Sequence, residues 1–182
     1  MRIFAFNVKR SYKFFFALLL VIVSVILAAF FLPVEDAISV FSTERDLPIY
    51  CVDRSDKKVA ITFDCAWGAE DIPHILDVLK RENVKATFFI VGQWAEKNPD
   101  AVKSIAGQGH DIGNHSYSHL RMGALDSKKI IQEISLSGKK LSEISGKNIE
   151  LFRAPYGDYN NNVVGLARNL GYFTIQWDVD SL

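Results

Sequence analysis

Short apolar runs alternate with helical patterns in the second half of the sequence, and this alternation limits the possible folds more than any other feature. Amphipathic patterns, with apolar residues three or four positions apart, separate the runs. Strands that alternate with helices form parallel sheets, because a crossover helix is needed to bring the chain back in the same direction. The sequence therefore predicts an α/β fold built on a parallel sheet or barrel. The predicted strands are residues 59–63, 86–91, 111–114, 151–153 and 174–177.

The ends of the predicted helices carry recognisable signals. Pro73 is tolerated in the first turn of the first helix. Asp126 is a suitable N-cap for the longest helix, and Gly146 is a suitable end for it. The predicted helices run from Ile72 to Leu79, from Asn98 to Gly107 or Gly109, from Asp126 to Gly146 and from Val163 to Leu170.

The N-terminal region contains a continuous apolar stretch, residues 14–32, in which Ser24 is the only polar residue. Its length can just cross a hydrocarbon core. Basic residues precede it and acidic residues follow it, which places the N-terminus in the cytoplasm. A cleaved signal peptide is the alternative, although Phe30 and Phe31 after Ala28-Ala29 make a poor cleavage site. We predict a cytoplasmic tail (1–13), a single-pass signal anchor in the cell membrane (14–32), and an extracytoplasmic remainder.

The rest of the sequence divides into a polar linker, residues 33–56, and a domain, residues 57–182. Lysine plus arginine and aspartate plus glutamate both count 21, so no excess of positive charge predicts a nucleic-acid partner. Cys51 and Cys65 are the two cysteines, and outside the cytoplasm they could pair. The sequence alone does not decide whether they do.

Titratable and polar residues follow four of the five predicted strands. Asp64 follows the first strand, His115 and His119 the third, Arg153 to Gly157 the fourth, and Asp178 and Asp180 the fifth. In parallel α/β folds the carboxyl ends of the strands meet at one edge, where chemistry collects. Two imidazoles four residues apart suit a divalent metal that needs a third ligand and an open position. The sequence therefore predicts a metal-dependent site at this edge.

These residues, taken together, resemble the motifs of a known family. Thr62-Phe-Asp64, His115-Ser-Tyr-Ser-His119, Arg153-Ala-Pro-Tyr-Gly157 and Asp180-Ser-Leu182 are similar, in order and spacing, to four motifs of the polysaccharide deacetylases. This family is also called the NodB homology domain or family 4 carbohydrate esterases. The resemblance covers about residues 57–182 and is greatest to the membrane-anchored deacetylases associated with sporulation.

The resemblance implies a deformed (β/α) barrel that removes N-acetyl groups from sugar polymers by means of a metal-bound water. It implies that Asp64 is the general base, that Arg153 holds this base, and that His115 and His119 bind the metal, which would be zinc, cobalt or another divalent ion. The backbone around Tyr156 would donate to the oxyanion, and Asp180 would tune a catalytic histidine.

Two departures from the family pattern concern the metal and the general acid. Cys65 stands where the family has a second aspartate, the third metal ligand. A thiolate can bind zinc, but a cysteine at the end of a strand could equally be buried and inert. Glu70 or Asp71 could supply an oxygen ligand instead. The family's Leu-x-His motif, which carries the general acid, does not follow within these 182 residues, so we expect a C-terminally shortened chain.

The leading functional prediction is an extracytoplasmic N-deacetylase that acts on peptidoglycan or a chitin-like polymer. The alternative is a non-catalytic module that binds cell-wall glycan, or an inactive fragment, because the general acid is missing. Three tryptophans could stack on sugar rings, with packing in the core or at the rim as the other interpretation. They are Trp67, Trp94 and Trp177.

Overall fold

The structure of the chain, a computed structural model, describes residues 8–31 and 45–181. It divides into two compact units whose boundary falls between Arg45 and Asp46. Parts of the predicted tail (1–13), anchor (14–32) and linker (33–56) lie outside the described residues.

The first unit contains helix α1, Val8–Phe31, whose side chains are described for residues 12–27. Among the residues that the structure describes, no helix is both long enough and apolar enough to cross a membrane. The transmembrane anchor over residues 14–32 therefore stays a prediction from the sequence.

The second unit alternates strands and helices, as the sequence predicted, around one five-stranded sheet. Two short 3₁₀ turns, Met122–Ala124 and Pro155–Gly157, interrupt the connections on the side of the strand ends. The elements in order are β1 (Thr62–Cys65), α2 (Ile72–Arg81), β2 (Thr87–Ile90), α3 (Gly92–Lys97), α4 (Pro99–Gly107), β3 (Asp111–Asn114), α5 (Ser127–Ser145), β4 (Leu151–Phe152), α6 (Asn161–Asn169) and β5 (Phe173–Thr174).

The sheet is entirely parallel and its strands lie in sequence order, β1-β2-β3-β4-β5. The register pairs Asp64 with Phe89 and Phe89 with Gly113, so the carboxyl ends of β1, β2 and β3 are level. This confirms the predicted α/β class, and it places the residues that follow each strand at one edge. The short helix α3 was not predicted, because six residues that begin with glycine carry little periodic signal.

The first strand begins later than the sequence predicted. Val59 is 90% exposed, and pairing starts only at Thr62, which lies opposite Thr87. The reason is the partner strand: in the same register Val59 would lie opposite Val84, whose N–H donates instead to Leu79 O in the turn that ends α2, at 2.8 Å. An apolar run therefore overestimated the length of the strand.

The C-terminal part of the predicted linker 33–56 contacts the folded domain. Ile49 forms a parallel bridge to Ile175, beyond β5, through hydrogen bonds from Ile49 N to Thr174 O (2.8 Å) and from Gln176 N to Ile49 O (2.9 Å). Asp46 accepts a hydrogen bond from Arg168 of α6 at 3.0 Å. Residues from Asp46 onward thus cover the free edge of β5, an edge that would otherwise offer unpaired backbone groups.

The ends of α5 confirm the predicted signals, because the Asp126 side chain accepts a hydrogen bond from Lys129 N and Gly146 is left-handed at φ 69°.

Two apolar clusters lie against the sheet and hold the strands in place. Burial of such clusters is the main favourable term in folding. The larger cluster includes Ile72, Leu76, Leu79, Phe88, Ile90, Val102, Ile105 and Ile112, and the smaller one includes Met122, Ile130, Ile134, Phe152, Val163 and Ala167.

Candidate active site

The ends of β1, β3 and β4 bring three of the predicted site residues into direct contact. Arg153 Nη1 donates a hydrogen bond of 2.7 Å to Asp64 Oδ1. Asp64 Oδ2 lies 3.6 Å from His115 Nε2, and His115 Nδ1 lies 2.8 Å from the carbonyl oxygen of Arg153. The three residues are far apart in sequence, so this contact is a product of the level strand ends.

Arg153 is buried, with only 3% of its surface exposed, and its Nη1 makes two hydrogen bonds while its Nε makes none. Its guanidinium lies over the ring of Phe89, 3.9 Å from the ring centroid, and Trp177 lies 5.7 Å away. Besides Asp64, Nη1 donates to Thr62 Oγ1 at 2.9 Å. A buried guanidinium needs such partners, because an unpaired charge in the interior is costly. Arg153 therefore fixes the position of the Asp64 carboxylate.

The tautomer of His115 follows from its partners. A carbonyl oxygen only accepts hydrogen bonds, so the contact to Arg153 O requires a proton on Nδ1. Burial lowers the pKa of His115 to about 4, so that the ring is neutral at neutral pH. Its Nε2 then carries a free lone pair directed towards the oxygen of Asp64, 3.6 Å away. Two acceptors that face each other in this way suit a cation or a donor between them.

His119 faces His115 from the other end of the loop, and their ring centroids are 5.1 Å apart. Its Nδ1 lies 3.1 Å from the Tyr156 hydroxyl, and Trp67 meets the ring edge-on at 5.6 Å. Burial lowers the pKa of His119 as well. The two predicted histidine ligands are thus neutral and adjacent, as a metal would require.

Tyr156 adopts the left-handed conformation, with φ 61° and ψ 11°, in the turn between β4 and α6. Such a backbone costs free energy in a non-glycine residue and is often found at functional sites. Arg121 places its guanidinium 4.8 Å from the centroid of the Tyr156 ring. The structure therefore brings Tyr156 to the site, while its backbone role in stabilising an oxyanion stays a prediction.

Cys65 does not join these residues. It is 7% exposed and packs in the larger apolar cluster, on the opposite face of β1 from Asp64. Burial raises the pKa of its thiol to about 12, so the thiolate that binds metal is absent at neutral pH. Both Cys51 and Cys65 are free thiols.

The histidine pair could supply two ligands to a divalent metal, whereas the position predicted for the third ligand does not fit one. Within residues 8–31 and 45–181, no group of three histidine, cysteine, aspartate or glutamate side chains is arranged to hold a metal ion. Glu70 and Asp71 are exposed residues before α2, outside such a group. The residues present therefore supply two imidazole ligands and leave the set incomplete.

The remaining predicted residues fall in different places. Asp180 lies on the exposed segment that follows β5. Trp67 is 78% exposed beside His119, and Trp177 lies near Arg153. Trp94 is buried and donates its indole hydrogen bond to Gly68 O at 3.0 Å, so it belongs to the core.

Sequence reasoning missed several residues that position the site. Thr62 and Phe89 hold Arg153, and Asn114 Oδ1 accepts from the backbone of Ser116 at 3.0 Å. Asn114 is a buried amide at the end of a strand, and a buried polar residue there is a signal that could have been used. Phe89 could not have been singled out, because a phenylalanine in an apolar strand is indistinguishable from core.

A parallel α/β sheet with paired histidines, an aspartate and a buried arginine at its strand ends defines a candidate hydrolase of the carbohydrate esterase type. The family profile described as "Polysaccharide deacetylase" matches residues 52–175. The chain belongs to the polysaccharide deacetylase family, and the predicted resemblance is confirmed.

Relatives and solved structures that belong to the same family are similar to this chain over part of their length. A peptidoglycan-N-acetylglucosamine deacetylase of Bacillus cereus is 40% identical over 125 residues, which are 69% of this chain and 46% of the relative. The peptidoglycan-N-acetylmuramic acid deacetylase PdaA of Bacillus subtilis is 32% identical over 71% of this chain and 50% of its own length. A crystal structure of a CE4 family pseudoenzyme from Bacillus anthracis has a TM-score of 0.72 and 35% identity, and covers 74% of this chain and 48% of that one. The chain thus spans about half the length of these relatives.

Proposed function

We propose that this domain removes N-acetyl groups from a cell-wall polysaccharide, with the Asp64–Arg153–His115 contact as its reaction centre. The observation that carries the proposal is the lone pair of His115 Nε2, which faces Asp64 Oδ2 across 3.6 Å while Arg153 holds the other carboxylate oxygen at 2.7 Å. Relatives named peptidoglycan deacetylases, at 32–40% identity, support the same reaction class.

The chain's own residues account for the proton transfer from water to a base, but not for the proton that the leaving amine needs. Asp64 Oδ2 is partly exposed and makes no hydrogen bond to Arg153, so this carboxylate oxygen can take a proton from a reacting water. Arg153 keeps the carboxylate in place through Oδ1 and leaves Oδ2 available. A divalent metal, zinc or cobalt, would supply a more acidic water and polarise the acetyl oxygen when bound between His115 and His119.

Peptidoglycan fits the rim of the site better than a chitin-like polymer does. The exposed guanidinium of Arg121 lies over Tyr156, whose hydroxyl contacts His119. Peptidoglycan carries carboxylates on its stem peptides and on those muramic acid residues that bear no peptide, whereas chitin carries none. Arg121 would favour the charged polymer.

A non-catalytic glycan-binding module is the second candidate, and Cys65 is the observation that favours it. A buried thiol in the place of the third ligand removes one metal bond and leaves the sugar-facing residues intact. The pseudoenzyme from Bacillus anthracis shares 35% identity with this chain. A mutant of that pseudoenzyme with restored enzymatic activity has a TM-score of 0.72 to this chain, so the fold of this group is compatible with both outcomes.

Acetate release separates the two candidates. The chain and its Cys65→Asp variant would be incubated with peptidoglycan and with N-acetylglucosamine oligomers, with and without zinc or cobalt. Metal-dependent release is the expected result, larger for the variant and larger on peptidoglycan, and Arg121→Gln should reduce only the preference for peptidoglycan. Retention on sacculi without release from either protein would favour the binding module. Neither retention nor release, with folding verified by circular dichroism, would contradict both.

We also propose that residues 14–32 anchor the domain at the outer face of the cell membrane, and that the protein serves during sporulation. The support for the anchor is the apolar stretch and its flanking charges, and the support for the timing is the family resemblance alone. Recovery of the chain in the membrane fraction after an alkaline wash tests the first. An immunoblot across growth and sporulation tests the second.

A further inference from the structure

Glu133 is a buried carboxylate on the inner face of α5, directly beneath the loop that carries both histidines. It is 1% exposed. Its Oε2 accepts hydrogen bonds from the backbone N–H groups of Tyr117 (3.1 Å) and Ser118 (2.7 Å), and its Oε1 accepts from the Ser118 hydroxyl at 3.1 Å. Lys129, one helical turn earlier, balances the charge with Nζ 3.0 Å from Oε1. All of these loop contacts fall between His115 and His119.

The loop needs such support because its backbone is strained. Ser116 and His119 both have positive φ values, 63° and 56°, and neither is a glycine. Residues in this region persist only where their surroundings hold them. The carbonyl oxygens of Ser116 and Tyr117 accept hydrogen bonds from Gly92 N and Gln93 N at the start of α3, at 2.9 and 3.0 Å. Helix α3 therefore holds the carbonyl side of the loop, and Glu133 holds the amide side.

Packing of α5 against the core would not by itself require a charged residue at this position. The neighbours of Glu133 on α5, Ile130 and Ile134, are fully buried apolar residues, and an apolar residue at position 133 would avoid the burial of a carboxylate but would leave the amides of Tyr117 and Ser118 without their acceptor. A carboxylate offers what an apolar side chain cannot, namely acceptors for two adjacent amides and one hydroxyl. The cost of burial is offset only because the loop supplies those donors.

We propose that Glu133 is a positioning residue that sets the separation and orientation of His115 and His119. It does not touch the reacting atoms. It fixes the turn at Tyr117 and Ser118, and this turn determines where the two rings point. The inference rests on the proposed function, since a metal is what the two rings would bind.

Two variants and a matched control test this role without any need for activity. Glu133→Ala removes every acceptor, and Glu133→Gln keeps the shape and one acceptor oxygen. Glu143→Gln is the control, because Glu143 lies on the same helix but is half exposed, pairs with Lys139 and Lys140, and reaches the loop only indirectly, through Lys140, Glu96 and the Tyr117 hydroxyl. Amide exchange at Tyr117 and Ser118 should rise at least about tenfold in Glu133→Ala, more than in Glu133→Gln, because open states of the loop become more populated. The ring resonances of His115 and His119 should shift in both variants and not in the control.

Cobalt titration provides the second measurement. Loss of a residue that orients metal ligands typically weakens metal binding by about 10- to 100-fold, and we expect that loss in Glu133→Ala. Unchanged amide exchange and unchanged histidine resonances in a folded Glu133 variant would overturn the inference. If the unaltered chain binds no cobalt, the metal part of the proposed function fails, while exchange and resonances still decide the role of Glu133. If Glu133→Ala does not fold, Glu133→Gln and Ser118→Ala, which removes a single hydrogen bond, replace it in the same measurements.

Discussion

The strand ends of β3 and β1 supply neighbouring parts of the site, yet they are built in different ways. After β3, the loop from His115 to His119 is fixed by hydrogen bonds on both its amide and its carbonyl sides, and both rings face the site. After β1, Asp64 faces the site, but Cys65 turns inward and packs among apolar residues. Alternation of side chains along β1 favours this division, but Cys65 is the last residue of the strand, where a different side chain can turn towards the histidines.

The difference is that the predicted base and the two predicted histidine ligands face the site, while the position predicted to supply the third ligand is part of the core. A carboxylate at position 65 would have to be satisfied by a cation or by hydrogen bonds, whereas a protonated thiol asks for neither. The end of β3 therefore leaves its two histidine side chains available to a ligand, whereas the Cys65 side chain at the end of β1 contributes to the apolar core.

The reactivity of the two thiols tests the Cys65 end most strongly. Because burial raises its pKa to about 12, Cys65 should be almost entirely protonated at pH 8. Labelling of the native chain by a thiol reagent at pH 8 should be about three orders of magnitude slower at Cys65 than at the exposed Cys51. Both should react in urea, which is the control. Equal rates in the native chain would show that Cys65 is not packed as described.

Replacement of Arg153 should cause the largest loss of stability. Arg153→Met removes both hydrogen bonds of the guanidinium and leaves the Asp64 carboxylate without its partner. We expect the free energy of unfolding, measured in urea, to fall by about 3 kcal/mol. This is the lower end of the loss for a broken buried ion pair, because the Asp64 side chain is one-third exposed. Arg168→Met, which breaks only the exposed pair with Asp46, is the matched control and should cost under about 1 kcal/mol. Equal losses would mean that Arg153 is not the centre of the site.

Conversion of Cys65 to aspartate should give the end of β1 a metal-binding side chain, as the end of β3 already has. Without metal, Cys65→Asp should lose about 2 kcal/mol of unfolding free energy, because a carboxylate enters an apolar cluster. Zinc at about 100 times its dissociation constant should return about 2.7 kcal/mol. Cys65→Ser is the control and should gain less from zinc. Equal stabilisation of the serine and aspartate variants by zinc would contradict the assignment of position 65 as the place of the third metal ligand.

Truncation of Trp67 should have the smallest effect on folding. Its side chain is mostly exposed, so Trp67→Ala should change the free energy of unfolding by less than about 0.5 kcal/mol. Binding to peptidoglycan fragments should weaken by up to roughly tenfold, the scale of one aromatic contact. Phe173→Ala, an exposed aromatic at the opposite end of the sheet, should leave binding unchanged. Similar effects of the two substitutions would exclude Trp67 from the glycan surface.

The sequence predicted those parts of the site that depend on strand order, and it did not predict those that depend on side-chain direction. Asp64, His115, His119 and Arg153 could be placed together because parallel strands end at one edge. The orientation of Cys65 could not be decided, since a thiol is compatible with both faces of a strand. The segment around Ile49 was assigned to the linker because a single bridge residue leaves no periodic pattern. Glu133 was overlooked because its partners are backbone groups, which every residue possesses.

The parallel bridge at Ile49 determines where a force on the N-terminal side of the domain would act. Tension applied to the chain before Asp46 would reach the domain first at Asp46 and Ile49, and the two backbone hydrogen bonds to Thr174 and Gln176 would bear it. The residue after Gln176 is Trp177, whose ring centroid lies 5.7 Å from the guanidinium of Arg153. The start of the domain and the arginine that pairs with Asp64 are therefore mechanically linked through one short segment of backbone.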